Sequence, residues 1–155
     1  GVPSAFTAPD KSKPGRVIIA HPVSTKGAKQ CGEFALIDQK WPLAKSEYNE
    51  WFSHRERPVT QFNLGAFQLV EVDEDIWIAN VLVHDGTRVQ LRALKRALHD
   101  LMLHAIKTDS VVHLSKSGWL AENEAFVALV NELPALMCWM HESRVSGLSS
   151  TTEKK

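Results

Sequence analysis

Residues 91–106 hold Leu91, Leu94, Leu98, Leu101, Met102 and Ala105 at helical spacing, and a short apolar run stands on each side, IWIANVL at 76–82 and VVHL at 111–114. The middle segment has a 3.6-residue period, so it predicts a helix over Leu91–Ile106 with those side chains on one face. The flanking runs are too short for helices and rich in branched apolar residues, which predicts strands. A strand, a helix and a second strand in succession close a right-handed crossover and pair the strands in parallel. Parallel strands need cover on both faces. The pattern therefore predicts an α/β domain in which a mixed, mostly parallel central sheet lies between helices.

Other segments fill in this plan. Val17-Ile18-Ile19 marks a buried strand over Arg16–His21, and Glu33–Trp41 reads as a short helix stopped by Pro42. A second helical piece, Ala44–Phe52, offers Tyr48, Trp51 and Phe52 to the core. Gly65–Val72 alternates in hydrophobicity, and Asp73-Glu74-Asp75 joins it to the run at Ile76–Leu82 as a hairpin. Glu122–Leu133 predicts a helix ended by Pro134, and Leu136–Met140 a last strand. Residues 1–15 carry three prolines and two glycines and read as an extended N-terminal arm. Residues 16–142 form the folded domain, and 143–155 a polar C-terminal tail with nothing to bury.

Charge and cysteine content narrow the function classes. Lys plus Arg and Asp plus Glu are 18 each, so the whole-chain charge creates no general attraction to nucleic acid or an anionic membrane. Every apolar run is far shorter than the ~20 residues that span a bilayer. Cys31 and Cys138 make neither a disulfide scaffold nor a zinc pattern, which points to a reduced, intracellular setting, an organelle included. No stretch reads as a signal or transit segment.

Two loops carry the candidate chemistry. HPVSTKGAKQCGEF (21–34) follows the first strand and precedes a helix, with Gly27 and Gly32 in the turn. Ligands in open α/β sheets bind beyond the carboxyl ends of strands, where backbone N–H groups and a helix N-terminus cradle phosphate. The plainer reading is a tight connection, and Glu33 adds an anion to the same turn. HLSKSGWL (113–120) is a second strand-to-helix loop, with Ser115, Lys116, Ser117 and Gly118 as donors or cation and Trp119 placed to stack a base or plug the site. It too is compatible with an ordinary connection. His99 and His104 are ~500° apart around a helix and share no face. His21 and His113 sit in strands, where a hydrogen-bonded structural histidine is the expectation. No nucleophile motif surrounds Ser24.

Taken in order, these residues resemble a macrodomain, the ADP-ribose-binding three-layer α/β/α fold. The resemblance rests on Val17–His21, on Gly27–Gly32, on Gln39-Lys40-Trp41-Pro42 with Tyr48 beyond it, on LGAFQLVEVDEDIWIANVLVHDG (64–86), on Arg92-Ala93-Leu94 and on Val112-His113-Leu114. It implies ADP-ribose as the ligand, with Ser24, Gly27, Gly32, Lys116, Ser117, Gly118 and Trp119 around it, and it assigns no metal, cofactor or catalytic residue. Against the family pattern, Ala5 stands for the Asp that holds the adenine, Ser24 for an Asn at the distal ribose, and Gln30 and Glu33 for glycine and aromatic positions. Ser115-Lys116-Ser117-Gly118-Trp119-Leu120 replaces the second glycine loop. The expected function is therefore a degenerate macrodomain, a non-catalytic binding or structural module of a protein or ribonucleoprotein assembly, with ADP-ribose binding weak or lost. The alternatives are a working ADP-ribose reader and, within the family's activities, an ADP-ribosyl hydrolase or ADP-ribose phosphatase.

Overall fold

The computed structural model describes residues 15–27, 33–57, 60–114 and 137–139, with the side chains of 33–36 and 137–139 excepted. Its elements are β1 (Arg16–Ser24), α1 (Glu33–Lys40), α2 (Pro42–Ser53), β2 (Phe67–Asp73), β3 (Ile76–His84), α3 (Leu91–Lys107), β4 (Ser110–Leu114) and β5 (Met137–Trp139). The predicted arm, the helix at Glu122–Leu133 and the polar tail lie outside the described residues. Among the described residues, no helix is long and apolar enough to cross a membrane.

The strands form one five-stranded sheet in the order β2-β3-β1-β4-β5. β1 pairs in parallel with both β3 and β4, and β4 in parallel with β5. Among the described strands, only β2 and β3 pair antiparallel, as a hairpin. Its turn places Asp75 at φ 59°, a left-handed conformation that Asp tolerates.

Strand alternation divides the core between the two faces. Ile18 and Ala20 of β1, Ala79, Val81 and Val83 of β3 and Val112 and Leu114 of β4 pack under Ala93, Leu94, Ala97, Leu98, Leu101 and Ala105 of α3. The opposite face presents Ile19, Ile76 and Ile78 to Ile37, Trp41 and Ala44. Further along that face, Val23 and Leu82 meet Tyr48 and Trp51. Each fully buried Leu of α3 stabilises the layer by about 1.5–3 kcal/mol.

Several boundaries differ from the sequence reading. β1 runs three residues past His21, through Pro22. β4 pairs with β1 only as far as Ala20, so the missing Pro22 N–H breaks no bond on that side. α1 ends at Lys40, and Pro42 opens α2 rather than only stopping α1, because the first turn of a helix does not use that N–H. Leu91, expected on the core face of α3, is 39% exposed. It occupies the first helical position, where the chain is still entering from the loop. Met102 packs on the edge of the core.

Candidate functional site

Because β1, β3, β4 and β5 are mutually parallel, their carboxyl ends lie along one edge of the sheet. Two described loops leave that edge, Thr25–Gly27 after β1 and Asp85–Gln90 after β3.

The first loop starts from an irregularity. The β1–β3 register shifts between Val23 and Ser24, which aligns Ser24 with His84. Thr25 N–H then donates to the His84 carbonyl at 2.9 Å and extends the pairing into the loop. Ser24 is 0% exposed. Its Oγ accepts the Lys26 N–H at 2.9 Å, closing a tight local turn, and its carbonyl accepts the Tyr48 hydroxyl. Gly27 follows at φ +111°, and an added Cβ would stand 3.6 Å from the Phe52 ring.

An aromatic group from α2 and the loop after it supports this turn from beneath. Tyr48 stacks near Phe52 at 6.2 Å between centroids, and Phe62 meets Trp51 edge-on at 4.9 Å and Phe52 at 5.7 Å. Trp51 Nε1–H donates to the Thr60 carbonyl at 2.9 Å, which ties that loop to α2. The Arg55 guanidinium lies 4.0 Å over the Phe52 ring and donates to the Phe52 carbonyl at 2.8 Å. Phe52 thus has Gly27 and Arg55 as neighbours, and Arg55 brings a cation to this part of the surface.

The second loop is fixed by Asp85. Its Oδ1 accepts the N–H groups of Thr87 at 2.8 Å and Arg88 at 2.9 Å, and its Oδ2 accepts Gln90 Nε2 at 2.5 Å. The backbone N–H groups of Arg88 and Thr87, in that order, hold its carboxyl down at about 2. His84 Nδ1 accepts the Gly86 N–H at 3.0 Å, so in the neutral ring the proton sits on Nε2. Gly86 has φ +99°, and an added Cβ there would approach Lys26 Cγ to 2.5 Å. The stem of Lys26 therefore lies across Gly86 and joins the two loops.

Behind this edge, on the α2 face, is a buried polar chain. His21 Nε2 lies 2.5 Å from Asn80 Oδ1, and Asn80 Nδ2 donates to the Ala44 carbonyl at 3.2 Å and to Gln68 Oε1 at 2.9 Å. Gln68 Nε2 in turn reaches the Glu47 carbonyl at 3.0 Å. Burial pushes the His21 imidazole down to about 4, against a smaller upward pull from Asn80, so the ring is neutral at pH 7. Through this chain His21 on β1 is tied to β3, β2 and α2. A hydrogen-bonded structural role for His21 is what the sequence predicted.

Of the seven ligand positions read from the sequence, the described residues bring Ser24 and Gly27 together. Gly32, Lys116, Ser117, Gly118 and Trp119 lie outside the described residues. Sequence reasoning missed the contacts of Tyr48, Phe52 and Arg55 with the first turn, and the seat of Lys26 on Gly86. The Asp85-Gly86 dipeptide is a turn signal that could have marked the second loop. At the opposite edge of the sheet a shallow depression lined by Arg16, Lys107, Asp75 and Asp109 mixes charges that offset one another.

No family model matches the chain, and no curated protein matches it in sequence. Solved structures do. A macrodomain protein from Streptomyces coelicolor superposes with a TM-score of 0.70 at 24% identity, over 96% of this chain and 93% of that one. A protein from Bacteroides thetaiotaomicron gives 0.69 at 21% identity, over 92% of each chain. The macrodomain of Mycobacterium tuberculosis DarG gives 0.59 at 15% identity, over 86% of this chain and 94% of that one. At such identities the likeness speaks for the backbone, and it agrees with the strand order and layers described above: the chain has the macrodomain fold.

Proposed function

We propose that this chain is a degenerate macrodomain, a non-catalytic binding or structural module of a larger protein or ribonucleoprotein assembly, in which ADP-ribose binding is weak or lost. One observation carries the reading. The side chain that opens the first loop, Ser24, is fully buried and its hydroxyl accepts the Lys26 N–H, so it belongs to the turn and does not reach out to a ribose. The nearest imidazole on β1, His21, is enclosed and committed to Asn80. Sequence supports the same reading at Gln30 and at Glu33, the first residue of α1, where a bulky amide and a carboxylate would border the space a diphosphate has to enter.

A second reading, a surviving reader of ADP-ribose or a related nucleotide diphosphate, draws support from Lys26 and Arg55, the cations adjoining Gly27 and Phe52. Calorimetric titration with ADP-ribose separates the two. The degenerate module is expected to bind more weakly than ~100 µM, an affinity of about 5.5 kcal/mol. A low-micromolar dissociation constant would overturn it in favour of the reader.

A further inference from the structure

The sheet ends on β2, which has β3 on one side and, among the described residues, no strand on the other. Backbone bonds of β3 fix which way β2 turns its own groups. Val17 N–H donates to the Asp75 carbonyl at 2.9 Å, so odd-numbered positions from Asp75 onward face β1. Leu82 donates to the Ala66 carbonyl at 2.9 Å and accepts from Gly65 N–H at 2.8 Å, so even-numbered positions of β3 face β2. In the β2–β3 register Asn80 stands opposite Gln68, and Ile78 opposite Val70. Phe67, Leu69 and Glu71 therefore point their N–H and C=O groups outward. Among the described residues, nothing hydrogen-bonds to those outward groups. Edges of this kind are normally blocked by a proline, a lysine or a covering segment. β2 has neither proline nor lysine, and its register slips only after Glu71.

We infer that this edge is the interface of a homodimer, in which β2 pairs antiparallel with β2 of a second copy about a two-fold axis through Leu69. The inference does not depend on what the two loops bind. Hydrogen bonding sets the register. With Leu69 opposite Leu69 of the second copy, Phe67 stands opposite Glu71 of that copy, and all three outward residues exchange both bonds. Every other antiparallel register leaves at least one of the three without its mate, and the one centred on Glu71 sets two carboxylates side by side. Charge fits the same register. Phe67 and Leu69 pack on the α3 side of the sheet, so strand alternation sends Glu71 to that side too. The stem of Arg96 lies over Gly65, where an added Cβ would stand 3.1 Å from its Cδ. Gly65 is two residues before Phe67, which brings Arg96 of one copy beside Glu71 of the other, and the two-fold repeats the contact. Within one chain Gly65 and Glu71 are about 20 Å apart along the strand, too far for a pair. The present partner of Arg96, Asp100 at 3.9 Å, is exposed and worth little. Phe67 and Leu69, half-buried in the single chain, lose further exposure in the pair. Bonding, apolar contact and charge are thus all self-complementary, as an isologous interface requires.

The test is sedimentation equilibrium of the full chain at low salt, at loadings from about 5 to about 500 µM. The average mass is expected to rise from that of one chain toward that of two. Glu71→Pro removes an outward N–H at an exposed position and leaves the β3 ladder whole, so it should hold the chain monomeric over the range. Glu71→Arg and Arg96→Glu should each weaken dimerisation about tenfold, because the two-fold repeats every like-charge contact. Both changes in one chain should restore it to within about threefold of the parent. Glu71 and Arg96 are exposed, so the charge exchange decides the question even if the proline variant fails to fold. Three outcomes would overturn the inference: a parent still monomeric at the highest loading, a dimer unmoved by Glu71→Pro in a folded chain, or a double exchange no better than either single one.

Discussion

His21 Nε2 and Asn80 Oδ1 meet at 2.5 Å between two neighbouring parallel strands, both residues essentially sealed from solvent. Asn80 gives its amide protons to Ala44 and Gln68, so its oxygen is the acceptor and the imidazole donates. One side chain thus fixes the tautomer of the histidine and ties the sheet to the start of α2.

Protonation of that ring should destabilise the fold. The imidazole is lowered from 6.5 to about 4, so between those values the unfolded chain binds a proton that the folded chain refuses. Stability from this group is complete above pH 6.5 and is lost as pH falls towards 4, by about 3 kcal/mol in total. Urea midpoints at pH 7 and pH 4.5 check it. His21→Gln, which keeps a donor near Asn80 but cannot titrate, should flatten the pH slope. An equal slope in parent and variant would assign the acid sensitivity to other groups.

Gly86 should resist substitution for two separable reasons. Its φ of +99° strains any residue with a Cβ, and the new atom would lie 2.5 Å from Lys26 Cγ. Gly86→Ala is expected to cost about 1–2 kcal/mol from the backbone alone, with the Lys26 clash added. Lys26→Ala in the same chain should recover the second part and leave the first, which a double-mutant cycle in urea would resolve. Full additivity of the two changes would show that Lys26 moves away freely.

How far these features could be read beforehand depended on the range of the interaction. The 3.6 period of α3 and the alternation of β2 are local: α3 begins at Leu91 as the pattern puts it, while β2 runs from Phe67 to Asp73 rather than from Gly65 to Val72. Leu91 misled, since periodicity carries no information about where the chain first meets the sheet. Pro42 was legible as a break but not as the first residue of α2, because both roles follow from the same missing N–H. The use of Ser24 was hidden for another reason. Its hydroxyl closes the turn to Lys26, but its burial depends on the β1–β3 register shift and on Tyr48, which sequence spacing cannot supply. The seat of Lys26 on Gly86 joins two loops far apart in the chain, and no local pattern announces it.

Tyr48→Phe isolates the support of the first turn. The hydroxyl donates to the Ser24 carbonyl at a buried site, while the ring stays packed beside Phe52 and Phe62. Removing one such donor should cost about 1–2 kcal/mol, because the ring volume is kept and one buried carbonyl loses a partner. Hydrogen exchange should also quicken at Thr25 and Lys26 with little change in α3. A loss spread evenly over the whole sheet would mean that the hydroxyl supports global stability and not this turn.

The degenerate reading makes its strongest demand at Gln30 and Glu33. A carboxylate about 6 Å from one phosphate charge, at an effective dielectric of about 20, opposes binding by about 3 kcal/mol, roughly a hundredfold. Gln30 stands where the family pattern has glycine; a side chain there would fill space that a backbone cradle leaves open, and a left-handed conformation would cost about 1–2 kcal/mol more. Gln30→Gly with Glu33→Gly should therefore strengthen ADP-ribose binding by about two orders of magnitude from a parent weaker than ~100 µM. Glu33→Gln alone separates the terms, since it removes the charge and keeps the volume; it should recover most of the electrostatic part and none of the steric part. Titration calorimetry of the three chains at constant ionic strength gives the comparison. If the double variant binds no better than a weakly binding parent, the obstacle lies outside this stretch, and Ala5 and the second loop are the next positions to restore.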